Sequence, residues 1–250
     1  MARKKRRKKQ QARNSQQSLM QRTVSKEQEI GLAVKLNRAI SLHEQGQLKE
    51  AAQLYEQILE INPSHVDALR LSGVLAWQTG QNQIAIDLIR QAISINPKYA
   101  VAYNNLGVAL KEEGQLEEAE SAYRQALSLN PDDAKAHYNL GNVLWAQGQL
   151  EEAESAYGQA LSLNPDDAKA HNNLGAVLQE EGQLEEAVNA YRQALSLNPD
   201  YVDAYNNLGV ALKEGGQLEE AISAYGQALS LNPDYAEGYN NLGVALKEGG

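Results

Sequence analysis

Apolar residues recur along the chain at spacings of three and four, in blocks separated by short polar turns. In residues 100–133 the first block places Ala102, Leu106, Ala109 and Leu110 on one stripe. The second places Leu116, Ala119, Ala122, Tyr123, Ala126 and Leu127 on another. A helix completes a turn every 3.6 residues, so each block predicts an amphipathic helix. Gly114, between the blocks, supplies the left-handed residue that closes a helix at low cost. Glu117 and Glu118 fall in the first turn of the second helix, where acid complements the positive dipole end. Asn130-Pro131 stops that helix, because the residue before proline is driven out of the α region. Asp132 or Asp133 then caps the next helix. The local pattern predicts an antiparallel helical hairpin.

The same hairpin returns throughout. The prolines are Pro63, Pro97, Pro131, Pro165, Pro199 and Pro233, each 34 residues after the last. A fixed period of that size marks a stacked array of repeats, each in contact with its neighbours. The repeats are 32–65, 66–99, 100–133, 134–167, 168–201 and 202–235, with a partial seventh over 236–250. Gly73, Gly107, Gly141, Gly175, Gly209 and Gly243 recur inside first helices, where glycine costs about 0.5–1 kcal/mol relative to alanine. That recurrence implies close approach between helices. Ala51, Ala85, Ala119, Ala153, Ala187 and Ala221 recur in second helices, and Tyr55, Tyr123, Tyr157, Tyr191 and Tyr225 supply bulk at the same period. One hairpin cannot bury its apolar stripe alone, whereas a stack buries a continuous core. The expected fold class is therefore an all-α solenoid, ordered over 27–250.

Composition changes this picture mainly at the ends. The net charge of −9 hides two segments. Residues 1–26 hold ten Lys or Arg and no acid, whereas the other 224 hold 13 bases against 32 acids. The first segment reads as a disordered polybasic tail, with Arg3, Lys4, Lys5, Arg6, Arg7, Lys8 and Lys9 able to touch polyanions such as nucleic acid or an anionic membrane. Such contact would be nonspecific and salt-sensitive. In a nucleated cell the same run would serve as a nuclear signal. Ser25 and Gln28 fit a capping box, so order is expected to begin there. At the other end, Tyr239 to Gly250 repeats Tyr205 to Gly216 residue for residue. An unmodified apolar helix there points to a natural chain that continues, or to end-to-end self-association. There is no cysteine, which removes disulfides, thiolate metal sites and thiol nucleophiles. No apolar run approaches the roughly 20 residues that cross a bilayer, and no apolar segment follows the basic start as in a secretory signal. The expected location is cytoplasmic.

Tyr103, Leu106, Gly107, Ala119, Tyr123 and Pro131, with their equivalents in later repeats, resemble the tetratricopeptide pattern W-x2-L-G-x2-Y…A-x3-F…P at 34 residues. The resemblance covers Leu32 to Gly250. Repeats 1 and 2 depart from it, with Lys35 and Leu69 at the first aromatic position and Ala39 at a glycine position. It implies a right-handed superhelix whose first helices line a concave groove for a protein or an extended peptide. Mapping inward positions onto this sequence gives a row of Asn37, Asn105, Asn139, Asn173, Asn207 and Asn241, broken at Leu71. A second row holds Asn104, Tyr138, Asn172, Asn206 and Asn240. Asparagine is a mediocre helix former, and its amide both donates to and accepts from a peptide backbone, so these rows are the candidate partner-binding residues. The two-carboxylate clamp of this family is not assembled, because Asn104, Tyr138, Asn172 and Asn206 stand at its lysine position. The face is instead mixed, with Lys111, Lys135, Lys169 and Lys213 among acids such as Glu112 and Asp203. Repeat 2 also looks like repeats preceding the catalytic region of bacterial O-linked N-acetylglucosamine transferase-like proteins. That likeness implies, as an alternative, a substrate-recognition arm.

Catalytic chemistry is not expected within these residues. His137 and His171 share a repeat position with Tyr103 and Tyr205, which implies packing between helices. His43 and His65 sit near helix ends with no second ligand at metal spacing. Adjacent pairs such as Glu151/Glu152 and Glu185/Glu186 do not face each other on a helix. No phosphate loop, dinucleotide fingerprint or nucleophile elbow is present. Neither a cofactor nor a metal is expected.

Overall fold

Hairpins form where the pattern predicts them. The structure is a computed structural model that describes residues 28–249; the basic run 3–9 and the expected cap at Ser25 lie outside the described residues. The chain divides into two compact units, Met1–Pro97 and Lys98–Gly250. The first has α1 (28–44), α2 (Leu48–Ile61), α3 (Val66–Gln78) and α4 (Asn82–Ile95). The second has α5 (Ala100–Glu112), α6 (Leu116–Leu129), α7 (Ala134–Ala146), α8 (Leu150–Leu163), α9 (Ala168–Glu180), α10 (Leu184–Leu197), α11 (Val202–Glu214), α12 (Leu218–Leu231) and α13 (Ala236–Gly249). No strand occurs among the described residues, and the fold is an all-α solenoid of hairpins. The division falls at the boundary between repeats 2 and 3, where the sequence passes from divergent to near-identical repeats. Within the second unit each helix packs most heavily on its hairpin partner and then on the next helix along.

The turn chemistry is local and repeats with the sequence. After α5, Gly114 takes φ 78°. Its N–H bonds the Lys111 carbonyl at 2.9 Å, and the Gln115 N–H reaches back to the Leu110 carbonyl at 2.9 Å. This paired closure satisfies carbonyls that a helix end leaves orphaned. Asp133, not Asp132, caps α7, accepting from the Ala136 N–H at 3.1 Å. Asp167 caps α9 from Lys169 and Ala170. Tyr99 and Tyr201 occupy the same place before α5 and α11 and give no side-chain cap. The second helices also start without a side-chain cap, but α6, α8, α10 and α12 each carry two glutamates in the first turn.

The recurrent glycines have one specific role. A Cβ placed on Gly107 would lie 2.6 Å from Tyr123 Cε1, and one on Gly141 2.8 Å from Tyr157 Cε1. Gly175 with Tyr191 and Gly209 with Tyr225 repeat the arrangement, and Ile89 takes the aromatic's place over Gly73. Each tyrosine ring therefore packs directly against the bare backbone of the first helix. The five tyrosines of this set are at most 1% exposed, and they are the largest side chains in the core. Ala39 and Tyr55 show that repeat 1 accommodates a methyl group at the glycine position.

The second helices of the hairpins carry a second, longer period. Arg124 bonds Glu152 of the next repeat, and Arg192 bonds Glu220 at 2.8 Å. The intervening repeats hold Gly158 and Gly226 at the arginine position, exposed and with nothing within 4 Å of an added Cβ. Each glycine weakens its helix without permitting any contact. Replacing both by alanine should raise stability by about 0.5–1 kcal/mol per site, read as a higher midpoint in urea. An unchanged or lower midpoint would show that the helices need that freedom.

Candidate partner-binding face of the first helices

A stripe of residues four, three and four apart runs along each first helix, as in Val101, Asn105, Val108 and Glu112. Its asparagines, Asn105, Asn139, Asn173, Asn207 and Asn241, are half-buried. The adjoining row lies deeper: Asn104, Asn172 and Asn206 are 6%, 7% and 2% exposed. Their expected display to a partner is therefore corrected. They sit between neighbouring first helices, and an amide so desolvated needs an internal hydrogen bond.

That bond comes from the next repeat. Asn139 Nδ2 donates to Asn104 Oδ1 at 3.2 Å, Asn207 Nδ2 to Asn172 Oδ1 at 3.1 Å, and Asn241 Nδ2 to Asn206 Oδ1 at 2.9 Å. The offset is 35 residues, one more than the repeat, so each bond crosses from one row to the other. Glu237 Oε1 accepts from Asn206 Nδ2 at 3.1 Å. A carboxylate accepts and does not donate, so it fixes which way the Asn206 amide points. One rung differs. Asn173 Nδ2 donates to the Tyr138 hydroxyl at 3.2 Å and to Asn142 Oδ1 at 3.0 Å, and Asn142 Oδ1 also accepts from the Tyr157 hydroxyl at 2.8 Å. Tyr138 is half-buried, its ring 5.9 Å from that of Tyr157.

The ladder leaves a defined set of groups to a partner. Oδ1 of Asn139, Asn207 and Asn241 accepts no hydrogen bond from a described residue, and Asn37 and Asn240 are exposed. A second set of contacts uses the same 35-residue offset and escaped the sequence reading. Trp145 Nε1 donates to Glu180 Oε1 at 2.9 Å, and Gln179 Nε2 donates to Glu214 Oε2 at 2.8 Å. Each pins the carboxylate at the last position of the stripe on its helix. Lys135, Lys169 and Asp203 are exposed along it, and Lys111 pairs with its neighbour Glu112 at 3.2 Å. Hydrogen-bonding positions recur once per repeat.

The histidines belong to structure. His137 Nε2 donates to the Pro131 carbonyl at 2.9 Å and His171 Nε2 to that of Pro165 at 3.0 Å, tying each first helix to the loop before it. His65 caps α3 by accepting from the Ala68 N–H at 3.3 Å. His43 joins the Tyr55 hydroxyl to Gln78. The helix-end position of these last two was legible, but not their partners. Among the described residues no three His, Cys, Asp or Glu side chains converge as a metal site. No described helix is long and apolar enough to cross a membrane. Elsewhere, burial and then Glu154 push the Glu181 carboxyl up, beside a surface depression also lined by Glu151 and Glu152.

The model of the family described as the cilia and flagella-associated protein 70 C-terminal domain matches residues 2–242. No curated protein matches the sequence. Solved structures share the fold at low identity. YrrB, described as a tetratricopeptide-repeat protein with an unusual peptide-binding site, is 23% identical with a TM-score of 0.66, over 76% of this chain and 97% of that one. PilF of Pseudomonas aeruginosa is 21% identical with a TM-score of 0.75, over 84% and 95%. A chain of the Cut9–Hcn1 hetero-tetramer of the APC/C is 18% identical with a TM-score of 0.73, over 86% of this chain and 42% of that one.

Proposed function

Since the chain belongs to the cilia and flagella-associated protein 70 C-terminal domain family, a tetratricopeptide-repeat family, we propose that it is a protein-interaction scaffold whose second unit holds an extended peptide along its first helices. The observation that carries this reading is the recurrence of a half-buried asparagine once per repeat, at Asn105, Asn139, Asn173, Asn207 and Asn241. Neighbouring helices pack about 8–10 Å apart, and an extended chain advances about 3.3 Å per residue. One amide therefore meets the partner backbone about every third residue, irrespective of side chain. Such a face grips main chain and leaves selectivity to its edges, where Trp145, Glu180 and Glu214 stand. A relative described as having a peptide-binding site shares the fold. The available groups form hydrogen bonds and contacts, which fits holding a partner and not transforming it.

Capture of partners by the 250-residue chain tests the reading. Changing Asn139, Asn173 and Asn207 together to alanine should abolish capture. A second variant, Glu180→Lys with Glu214→Lys, alters the edge and leaves the ladder between rows intact, and should change which proteins are retained. If both variants fold, by circular dichroism, and retain the same partners as the parent, the face is not the binding surface.

A further inference from the structure

The stripe departs from its own pattern at the last turns of α7 and α9. In α5, α11 and α13 the last stripe glutamate follows a lysine, as Lys111-Glu112, Lys213-Glu214 and Lys247-Glu248. Lys111 Nζ lies 3.2 Å from Glu112, so the charge there is answered within the helix. In α7 and α9 that lysine is missing from two successive repeats. Trp145 and Gln179 take its place, and Ala146 stands where the other first helices of the unit carry glutamate. The Gln179 amide is engaged at both ends, accepting from the Tyr191 hydroxyl at 3.1 Å and donating to Glu214 at 2.8 Å. Glu180 is exposed, and no described cation pairs with it. Its Oε1 accepts from Trp145 Nε1 at 2.9 Å, and its Oε2 accepts no hydrogen bond from a described residue. A half-buried indole is thus tied by its N–H to a carboxylate without a countercharge.

We propose that Trp145 and Glu180 anchor an arginine of the bound peptide, its guanidinium stacked on the indole and donating to Glu180 Oε2. Charge complementarity selects the occupant. Beyond residue 26 the chain holds 13 bases against 32 acids, so its field draws a basic partner. A planar guanidinium uses both groups at once, because it stacks on an aromatic face and pairs with a carboxylate. An apolar side chain would leave the Glu180 charge unanswered, and an acidic one would be repelled by it. Trp145 lies one helical turn along α7 from Asn142, which belongs to the rung with Asn173 and Tyr138. A main chain held at that rung therefore presents its side chains to the indole. The inference rests on the extended-peptide reading and adds the side chain that sets its register. Amides repeated once per hairpin cannot tell one alignment of a peptide from the next, whereas a single arginine seat can.

Peptides of about twelve residues span the first helices from α5 to α13. Three labelled probes of serine, glycine and alanine, differing only in a central arginine, leucine or glutamate, are titrated into the 250-residue chain by fluorescence anisotropy. The arginine peptide should bind saturably, at least about tenfold more tightly than the glutamate peptide, and more weakly as salt rises. Glu180→Gln keeps an acceptor for Trp145 and removes the charge, and should weaken the arginine peptide about fivefold while leaving the leucine peptide unchanged. Trp145→Leu should weaken the arginine peptide by a similar factor. Its melting curve shows whether α7 survives the change, and Glu180→Gln, at an exposed site, decides the matter if it does not. Equal binding of the arginine and glutamate peptides overturns the anchor, as does an arginine preference that survives Glu180→Gln, or no saturable binding by any probe. Peptides that bind equally, yet all lose binding when Asn139, Asn173 and Asn207 become alanine, would leave the stripe a main-chain clamp without an arginine seat.

Discussion

Tyr157→Ala is expected to remove about 3–5 kcal/mol from the stability of the second unit, the range for deleting a large buried aromatic. The ring is fully buried, covers Gly141, touches the Tyr138 ring, and bonds Asn142 through its hydroxyl. Truncation leaves a cavity against Gly141, which has no side chain to fill it, and it strips one donor from Asn142. Gly141→Val attacks the same contact from the other side and should cost about 1–3 kcal/mol by overpacking. The two together should cost clearly less than their sum, because the ring that valine strikes is then absent. Urea unfolding of the parent, both single variants and the double variant checks this. Strict additivity would mean that the ring and the glycine are not energetically coupled.

Alkaline pH should unfold the chain through the same set of tyrosines. Burial pushes the Tyr55 and Tyr225 phenols from 10.0 up to about 12. Burial holds Tyr123, Tyr157 and Tyr191 higher still, with acids near Tyr123 and Tyr191 adding to it. Below pH 10 these phenols are neutral in both folded and unfolded chains, and the stabilisation is intact. Above it the unfolded chain ionises first, so stability falls as pH rises toward the folded values. Five groups titrating together make the loss steep. Helical circular dichroism should be lost in one cooperative step above about pH 10. Helix content that stays unchanged well above about pH 12 would show that these five phenols do not limit stability.

Much of this was legible because the repeat converts single residues into periodic ones. Pro131 and Gly114 mark helix ends by backbone restrictions that need no tertiary context. Gly107 and Tyr123 were visible as separate periodic positions, but their contact was not, because it depends on how one helix crosses the other. The asparagine rows were visible for the same reason, but the depth of the second row was not. A period of 34 says nothing about a bond made at 35, so Asn104, Asn172 and Asn206 read as surface when they are acceptors between helices. Trp145 and Gln179 share that offset and could have been found by searching for it. His65 as a cap was hidden because histidine seldom takes that role, whereas an aspartate cap was legible as Asp132 or Asp133 and the structure selects Asp133.

The unequal rung at Tyr138, Asn142 and Asn173 has a consequence for how the chain finds its register. The second helices α6, α8, α10 and α12 present nearly interchangeable faces, so a first helix emerging during synthesis meets several almost equivalent mates. Wrong pairings of that kind trap repeat proteins. Where every joint uses the same asparagine pair, a slip by one repeat preserves all the bonds and goes unpunished. A slip that moves Asn173 away from Tyr138 and Asn142 loses two bonds at once. One irregular joint thereby works as an index mark, telling otherwise identical hairpins where in the count they belong.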